Sequence, residues 1–473
     1  MLELLRCGAL NFQYALHTTQ EEEQPLSESS LRRFRRKVEE YNEANGCDLI
    51  KEEFQRISKK MAVDMGVLWD DPSKGDGEGR AIIVRMDSME IEAHAKAMSR
   101  LEILYMTNMV MIRYLLKKDF KNIIPEEMAH YLDKEDRNRV TYHRGKEDKA
   151  ADKKDTRIEE AVKEMALLKS AVEKNFTQEF LSEVPEYQTL ARVFEEQTKP
   201  GESGNRIPKE NKEISASSVQ NPFDETATYR YKNGQHHGFV VNVAEAIDGE
   251  GNGVITHADV DQNTRQDSSM AEDYVEQQPD GGPKQELTLD GGYGSDRLEE
   301  LAASKNIDIQ PTALSGAQPY DIDADFALNE DKTAVLSCPR GKKPVSNKYN
   351  PKTGMIIATM PGKCCKNCPH RKNGECNVFK NKPGTVFKVH ITAKMHDRAR
   401  LARHFTTEEG KANARRRNGV EGIMSVMRRK YGIDHLPVFG LVRVKQWIWT
   451  TLLAYNLVKY QKYQNAKKVS EAA

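Results

Sequence analysis

Two short apolar runs, each closed by an aspartate, constrain this chain more than any other feature. Ala81-Ile82-Ile83-Val84-Arg85-Met86 is rich in β-formers and ends at Asp87. Glu286-Leu287-Thr288-Leu289 is a second such run and ends at Asp290. Helical, charged stretches lie around them, so the two runs belong to a mixed α/β fold with insertions. Strand ends at the edge of such a sheet are where ligands and metals commonly bind. Either aspartate alone is more often a cap or turn residue.

The rest of the chain fits that frame. Residues 24–65 have helical spacing, with Leu49, Ile50, Phe54 and Ile57 in register and Ser27 to Ser30 as a start. Asp70 to Gly77 is a loop. From Glu90 to about Gln197 the pattern predicts two or three long helices, and Lys199 to Gln220 reads as a polar linker. Tyr229–Lys232 and Gly238–Ala246 flank Asn233-Gly234, a hairpin signal. Gly253–Val260 predicts a strand, Asp267–Gln277 a helix, Ser295 the cap of a helix through Ser304, and Ile307–Ile309 a further strand. Thr406–Tyr431 and Leu441–Lys462 are helical. The length of 473 residues suffices for about three domains.

The formal net charge of zero conceals a division. Cys338 to Ala473 holds 29 Lys and Arg against 7 Asp and Glu, an excess of +22 that the remainder balances with −22. A basic third suits a polyanion; it equally suits a solvated face. The most apolar tract, Trp447 to Val458, is too short for a membrane span and is flanked by Lys445 and Lys459. The N-terminus lacks the pattern of a secretion signal, so a cytoplasmic protein is expected.

Glu421 can be placed on its helix. With Arg417 at zero and ~100° per residue, Glu421 falls at ~40° and Arg428 at ~20°. Val420, Ile423, Met424, Met427 and Tyr431 fall between ~240° and ~340°, a stripe that faces a core. Arg417, Glu421 and Arg428 border that stripe, where a carboxylate can reach a sheet edge and arginines a phosphate. An Arg–Glu pair four apart on a solvated helix has the same spacing. Two-metal phosphodiester chemistry needs hard oxygen ligands converging from separate elements, and Asp and Glu suit Mg²⁺ or Mn²⁺.

Four stretches, in this order, resemble the DDE transposases of bacterial insertion sequences. They are Arg85 to Met89 with Ser99 to Tyr105, Asn221 to Asp224 through Tyr229–Gly234 to His237–Asn242, Leu289 to Tyr293, and Arg417 to Gly422 through Arg428–Gly432. The resemblance spans about residues 9 to 460. It implies an RNase H-like mixed-sheet core carrying a helical insertion and a cysteine-rich insertion, plus an N-terminal helical region. It also implies that Asp87, Asp290 and Glu421 are the catalytic, Mg²⁺- or Mn²⁺-holding acids. The implied activity is cleavage of double-stranded DNA at terminal repeats and strand transfer into target DNA, by a homodimer on DNA, in the nucleoid-bearing cytoplasm. In a related branch an Arg lies four residues before the Glu and a Lys seven after; Arg417 matches and Arg428 replaces the Lys. The tyrosine of that signature would fall at Ala414 and is missing. Arg417, Arg428, Arg429 and Lys430 become the phosphate-binding candidates. Cys7 to His17 resembles the interior of the family's N-terminal region, which implies a truncated copy or an alternative start. The implied divisions are 1–75, N-terminal and DNA-binding; 80–337, the first part of the core with its insertion at about 90–200; 338–385, cysteine-rich; and 386–473, core completion.

Five cysteines lie between Cys338 and Cys376. Cys365-x-x-Cys368 has zinc-knuckle spacing, with Cys376 near and Cys338 as a fourth ligand, so a structural Zn²⁺ is expected. Cys364 rivals Cys365, and His370 rivals either end. Arg398, Arg400, Arg403 and Arg415 to Arg417 lead into the Glu421 helix, suited to a DNA backbone. Trp447 and Trp449 read as core, and His236-His237 as a hydrogen-bonded sheet-edge pair. Two other activities share these features: a transposase-derived, zinc-containing DNA-binding protein that no longer cuts, and a nuclease that cuts without joining.

Overall fold

The computed structural model describes residues 28–69, 80–133, 135–137, 140–141, 151–201, 204–232, 234–376, 378–380 and 387–472. The Cys7–His17 segment, the Asp70–Gly77 loop and Asn233 lie outside them. The first helical stretch is two helices, α1 (Glu28–Asn45) and α2 (Leu49–Asp64). Gly46 breaks it at φ +61°, and the Asp48 side chain accepts from Lys51 N at 3.1 Å to start α2.

Strand β1 (Ile82–Glu92) is followed by α3 (Arg100–Lys117), α4 (Ala151–Asn175), α5 (Gln178–Ser182) and α6 (Pro185–Gln197). Helix α3 is apolar nearly all round, so it is buried nearly all round. Its Leu104, Met111, Ile112 and Leu115 pack with Val162 and Met165 of α4 and Leu190 and Val193 of α6 in a core of their own. The segment expected as a linker instead forms a ribbon, β2 (Thr198–Pro200) with β3 (Arg206–Pro208). Arg206 pairs with Glu195 at 2.5 Å and Lys199 with Glu213 at 2.8 Å, so much of this partly exposed segment's charge is paired and holds the ribbon in place.

The main sheet is completed by β4 (Thr228–Tyr231), β5 (Gln235–Ile247), β6 (Gly253–Gln262), then α7 (Asp267–Glu276), β7 (Gln285–Leu289), α8 (Asp296–Ser304) and β8 (Ile307–Pro311). The order is β6-β5-β1-β7-β8, with β4 extending the β6 edge of β5. β5 runs antiparallel to β1 and β6, whereas β1, β7 and β8 are parallel. This is the strand order and direction of an RNase H-like core. Side chains alternate across β1: Val84 and Met86 join α7 and α8 in one core layer. Met89 and Ile91 face the other way.

Beyond β8 come β9 (Ala327–Leu328), β10 (Val335–Ser337), β11 (Ser346–Asn350), β12 (Met355–Met360), the short α9 (Gly362–Lys366) and α10 (Pro369–Lys372), β13 (Val378–Lys380) and β14 (Phe387–Thr392). A second antiparallel sheet, β11-β12-β14-β13, holds the cysteines and has its own core of Ile356, Ala358, Met360, Phe387, Val389 and Ile391. Three helices end the chain: α11 (Ala393–His404), α12 (Glu408–Tyr431) and α13 (Leu441–Ala472). Thr407 caps α12, accepting from Gly410 N at 3.1 Å, and Gly432 ends it at φ +61°. Val420, Ile423, Met424 and Met427 of α12 pack with Ile448, Trp449 and Leu452 of α13 on the Met89–Ile91 side of the sheet. Trp449 is core, as expected; Trp447 is half-buried. Among the described residues no helix is long and apolar enough to cross a membrane.

Candidate active site

The register of the parallel pair β1–β7 sets the site. Ile82 pairs with Gln285 and Arg85 with Thr288, and there the pairing stops. Continued by two residues, the same offset places Asp87 beside Asp290. Asp87 does not end its strand, as the sequence suggests. β1 runs on to Glu92 because β5 keeps pairing with it as far as Gly238. What ends near Asp87 is the ladder to β7, so the sheet opens between the two aspartates.

Each aspartate side chain is fixed by the next backbone N–H, within the strand at Asp87 and at the start of a turn at Asp290. The Asp87 Oδ1 accepts from Ser88 N at 2.9 Å, and the Asp290 Oδ1 from Gly291 N at 2.8 Å. Burial pushes the Asp87 carboxyl above the usual aspartate range; the Arg417 guanidinium and the Ser88 N–H oppose the shift, and the Asp290 charge adds to it. A Cβ on Gly291 would stand inside contact distance of the Ala313 carbonyl, whereas one on Gly292 would meet nothing. Gly291→Ala is therefore expected to displace the Asp290 turn at a cost of ~1–3 kcal/mol, and Gly292→Ala to be near neutral. Urea denaturation of the two variants checks this; equal effects would contradict it.

Helix α12 crosses the open edge strand by strand. Asn413 donates to Gln310 of β8 at 3.1 Å, Arg416 pairs with Glu286 of β7 at 3.2 Å, and Arg417 reaches Asp87 of β1 at 2.8 Å. The other Arg417 nitrogen donates to Glu421 Oε1 at 2.7 Å. Arg417 is thus the bridge between the first aspartate and the glutamate. Burial disfavours its charge, but Asp87, Asp290 and Glu421 together hold its pKa above the usual arginine value. Glu421 is more exposed than Asp87, at 60% against 14% of its side chain.

One supporting device has Arg85 and Gly419 inside the resembling stretches, yet neither carries a role that the sequence assigns. Arg85 lies on the α12-facing side of β1, two residues before Asp87. It is buried, pairs with Glu245 of β5 at 2.6 Å, and donates to the Arg416 carbonyl at 3.0 Å. Glu245 is fully buried and also takes Lys459 of α13 at 2.7 Å. A Cβ on Gly419 would collide with the Arg85 guanidinium, so α12 comes this close only because residue 419 is glycine.

The remaining candidates stand elsewhere. Arg428 is two turns, about 10 Å, along α12 from Glu421; it pairs with Asp434 at 3.3 Å. Arg429 donates to Ser425, and Lys430 lies over the Tyr431 ring at 5.8 Å. The structure therefore brings Arg417 to the acids and leaves Arg428, Arg429 and Lys430 apart. Of the arginines before α12, Arg403 is bound to Asp321 and Asp325 at 2.7 and 2.5 Å, and Arg398 donates to the Ser315 and Ala317 carbonyls. Those two serve the fold. His236 bonds Glu92 at 3.2 Å as a sheet-edge residue, and His237 N donates to the same carboxylate at 3.3 Å, with the His237 ring buried and its Nε2 unpartnered.

Cys338, Cys365, Cys368 and Cys376 line one cavity of about 30 Å³. Cys364 and these four are free thiols. Burial and the crowding of neighbouring thiols push Cys365 up to about 11 and Cys376 up to about 12. The Arg371 charge acts in the opposite direction on Cys365, but burial and mutual repulsion outweigh it. As placed, no three His, Cys, Asp or Glu side chains among the described residues stand close enough to hold a metal ion. This holds for the three carboxylates and for the four cysteines alike.

The family described as "Transposase DDE domain" matches residues 337–461, about a quarter of the chain. The match includes the cysteines, α12 and Glu421 and does not extend to Asp87 or Asp290. It supports a transposase-type function and, in general terms, a nuclease or transposase activity; this family generally uses divalent metal ions. Among solved structures, a piggyBac transposase synaptic complex with hairpin DNA, determined by cryo-EM, is similar at 9% identity and a TM-score of 0.23. The likeness covers 51% of this chain and 44% of that one, too weak for residue-by-residue alignment. No curated protein matches.

Proposed function

We propose that the chain cleaves double-stranded DNA at the ends of an insertion element and joins the freed 3′-hydroxyl to target DNA. The observation that carries this is the β1–β7 register, which supports Asp87 and Asp290 as neighbours at an open sheet edge under the Glu421 helix. The donors fit Mg²⁺ or Mn²⁺ in kind: three carboxylates, one of them strongly desolvated. Asp87, Asp290 and Glu421 would hold the ion or ions, which supply phosphate-oxygen polarisation and an activated water or 3′-hydroxyl when bound.

The chain's own residues do the rest. Arg417 positions Glu421 over the sheet edge and offsets the Asp87 charge. Arg415, Arg428, Arg429 and Lys430, exposed on α12, supply sequence-independent attraction for the DNA backbone. Phosphate contacts of this kind fix the duplex without choosing its sequence. A homodimer on paired ends and residues 1–75 as a DNA-binding region belong to the same proposal.

A second function, DNA binding without cutting, is favoured by one observation. Arg417 already pairs with two of the three acids, Asp87 and Glu421. A plasmid bearing the DNA that flanks this coding sequence, incubated with the full chain and Mg²⁺ or Mn²⁺, tests both. Cuts at element boundaries, followed by joined products, are expected. Binding with no cut in either metal would favour the second function, and cuts without joining a nuclease.

A further inference from the structure

The cysteine cavity is not used by the proposed reaction. Its sulfurs come from three separate places: the Cys338 turn, the α9–α10 connection and Cys376 before β13. Cys338 opens a tight turn in which Gly341 N donates back to the Cys338 carbonyl at 2.7 Å, with Gly341 at φ +68°. Cys368 N donates to the Cys365 carbonyl at 3.3 Å, so the second pair also lies on a turn. Two cysteine-bearing turns facing one small void is the layout of a thiolate cage.

The void is small, about 30 Å³, and has room for a single ion. Arg340 and Arg371 line it. Arg371 is anchored by the Cys365 carbonyl at 2.9 Å and the Phe387 ring at 5.2 Å. Four thiolates around one dication carry a net charge of −2, which two arginines offset. One rival ligand drops out, since Cys364 is not among the lining residues. His370 also lines the void, and its Nδ1 bond to Glu375 at 2.7 Å leaves Nε2 as a rival donor to the four sulfurs.

We propose that Cys338, Cys365, Cys368 and Cys376 take one soft divalent cation, zinc, and that the metal fixes α11 and hence the approach to α12. The chain of contacts is short. Ile322 and Phe326 close the cavity from the segment Asp321–Phe326. Arg403 of α11 grips Asp321 and Asp325 of that same segment through four side-chain hydrogen bonds. Asp323 between them is 1% exposed, and neither of its carboxylate oxygens has a partner, so the cluster holds a further unmet charge. The sulfurs are not at ligand distance as placed, and the metal supplies the attraction that draws them in. The site is independent of the DNA-cleavage proposal, because its test needs neither DNA nor Mg²⁺.

The full chain, purified reduced, is reconstituted with Zn²⁺ or Co²⁺ and freed of excess metal. Expected are one zinc per chain released by a mercurial reagent, and the thiolate-to-cobalt charge-transfer band with the intense d–d bands of a tetrahedral site. Cys364→Ser should keep both signals. Cys338→Ser and Cys376→Ser should weaken zinc binding by more than the roughly 10–100-fold cost of disturbing an outer partner. Zinc should also slow amide exchange across residues 321–326 and 393–404 in the wild-type chain. Failure of the wild-type chain to retain either metal would overturn the proposal, even if the serine variants do not fold. So would a disulfide among the four cysteines, or signals lost in Cys364→Ser and kept in Cys338→Ser.

Discussion

An Asp87→Asn variant is expected to bind DNA as the wild-type chain does and to lose metal-dependent strand cleavage by about 10³-fold or more, the loss of several kcal/mol of charge stabilisation. Asparagine keeps the shape and can still accept from Ser88 N, so the local strand geometry survives while the anion goes. Stability should not fall with activity. Burial raises the folded-state pKa of Asp87, so its ionised form weakens folding, and that penalty grows as pH rises through the raised value. Removing the charge lifts the penalty at neutral pH, and Arg417 keeps Glu421 as a partner. Cleavage rates and denaturation midpoints of the same preparation separate the two effects. Cleavage near the wild-type rate would remove Asp87 from the site.

Arg85→Met should be the most damaging substitution for the fold, costing about 3 kcal/mol, because it strips a partner from a buried carboxylate. Glu245 would retain Lys459 alone. The Arg416 carbonyl would lose its donor, freeing the part of α12 that carries Arg417. The double variant Arg85→Met with Glu245→Met should be less unstable than the sum of the singles, since the stranded charge is gone. Lys459, one-quarter exposed, can turn to solvent. Additive losses would mean that Arg85 acts by packing and not by charge. Gly419→Ala should reproduce part of the Arg85→Met loss by forcing the guanidinium off Glu245.

Why some of this could be read from sequence and some could not follows from the range of the interactions. The two apolar runs, the Asn233-Gly234 hairpin and the α12 stripe are local patterns, so β7, β4 and α12 are legible within one or two residues and β5 within three. The continuation of β1 past Asp87 is not, because it depends on pairing with β5, some 150 residues on. The second sheet was missed because β11 is polar and fully exposed, while β12 and β14 are short and interrupted by the cysteine loops. Arg85, Glu245 and Gly419 are ordinary residues in sequence; only the fold brings them together. Arg417 illustrates the middle case. Its spacing from Glu421 is visible, but its hold on Asp87 is a contact across 330 positions.

The central claim is that Asp87, Asp290 and Glu421 form one divalent-metal site. Mn²⁺ binding, followed by electron paramagnetic resonance on the full chain, tests it without any need to know the DNA ends. The account predicts saturable binding in the wild-type chain and a marked loss in each of Asp87→Asn, Asp290→Asn and Glu421→Gln. Wild-type binding that all three variants share unchanged, or no binding at all with and without duplex DNA, would contradict it.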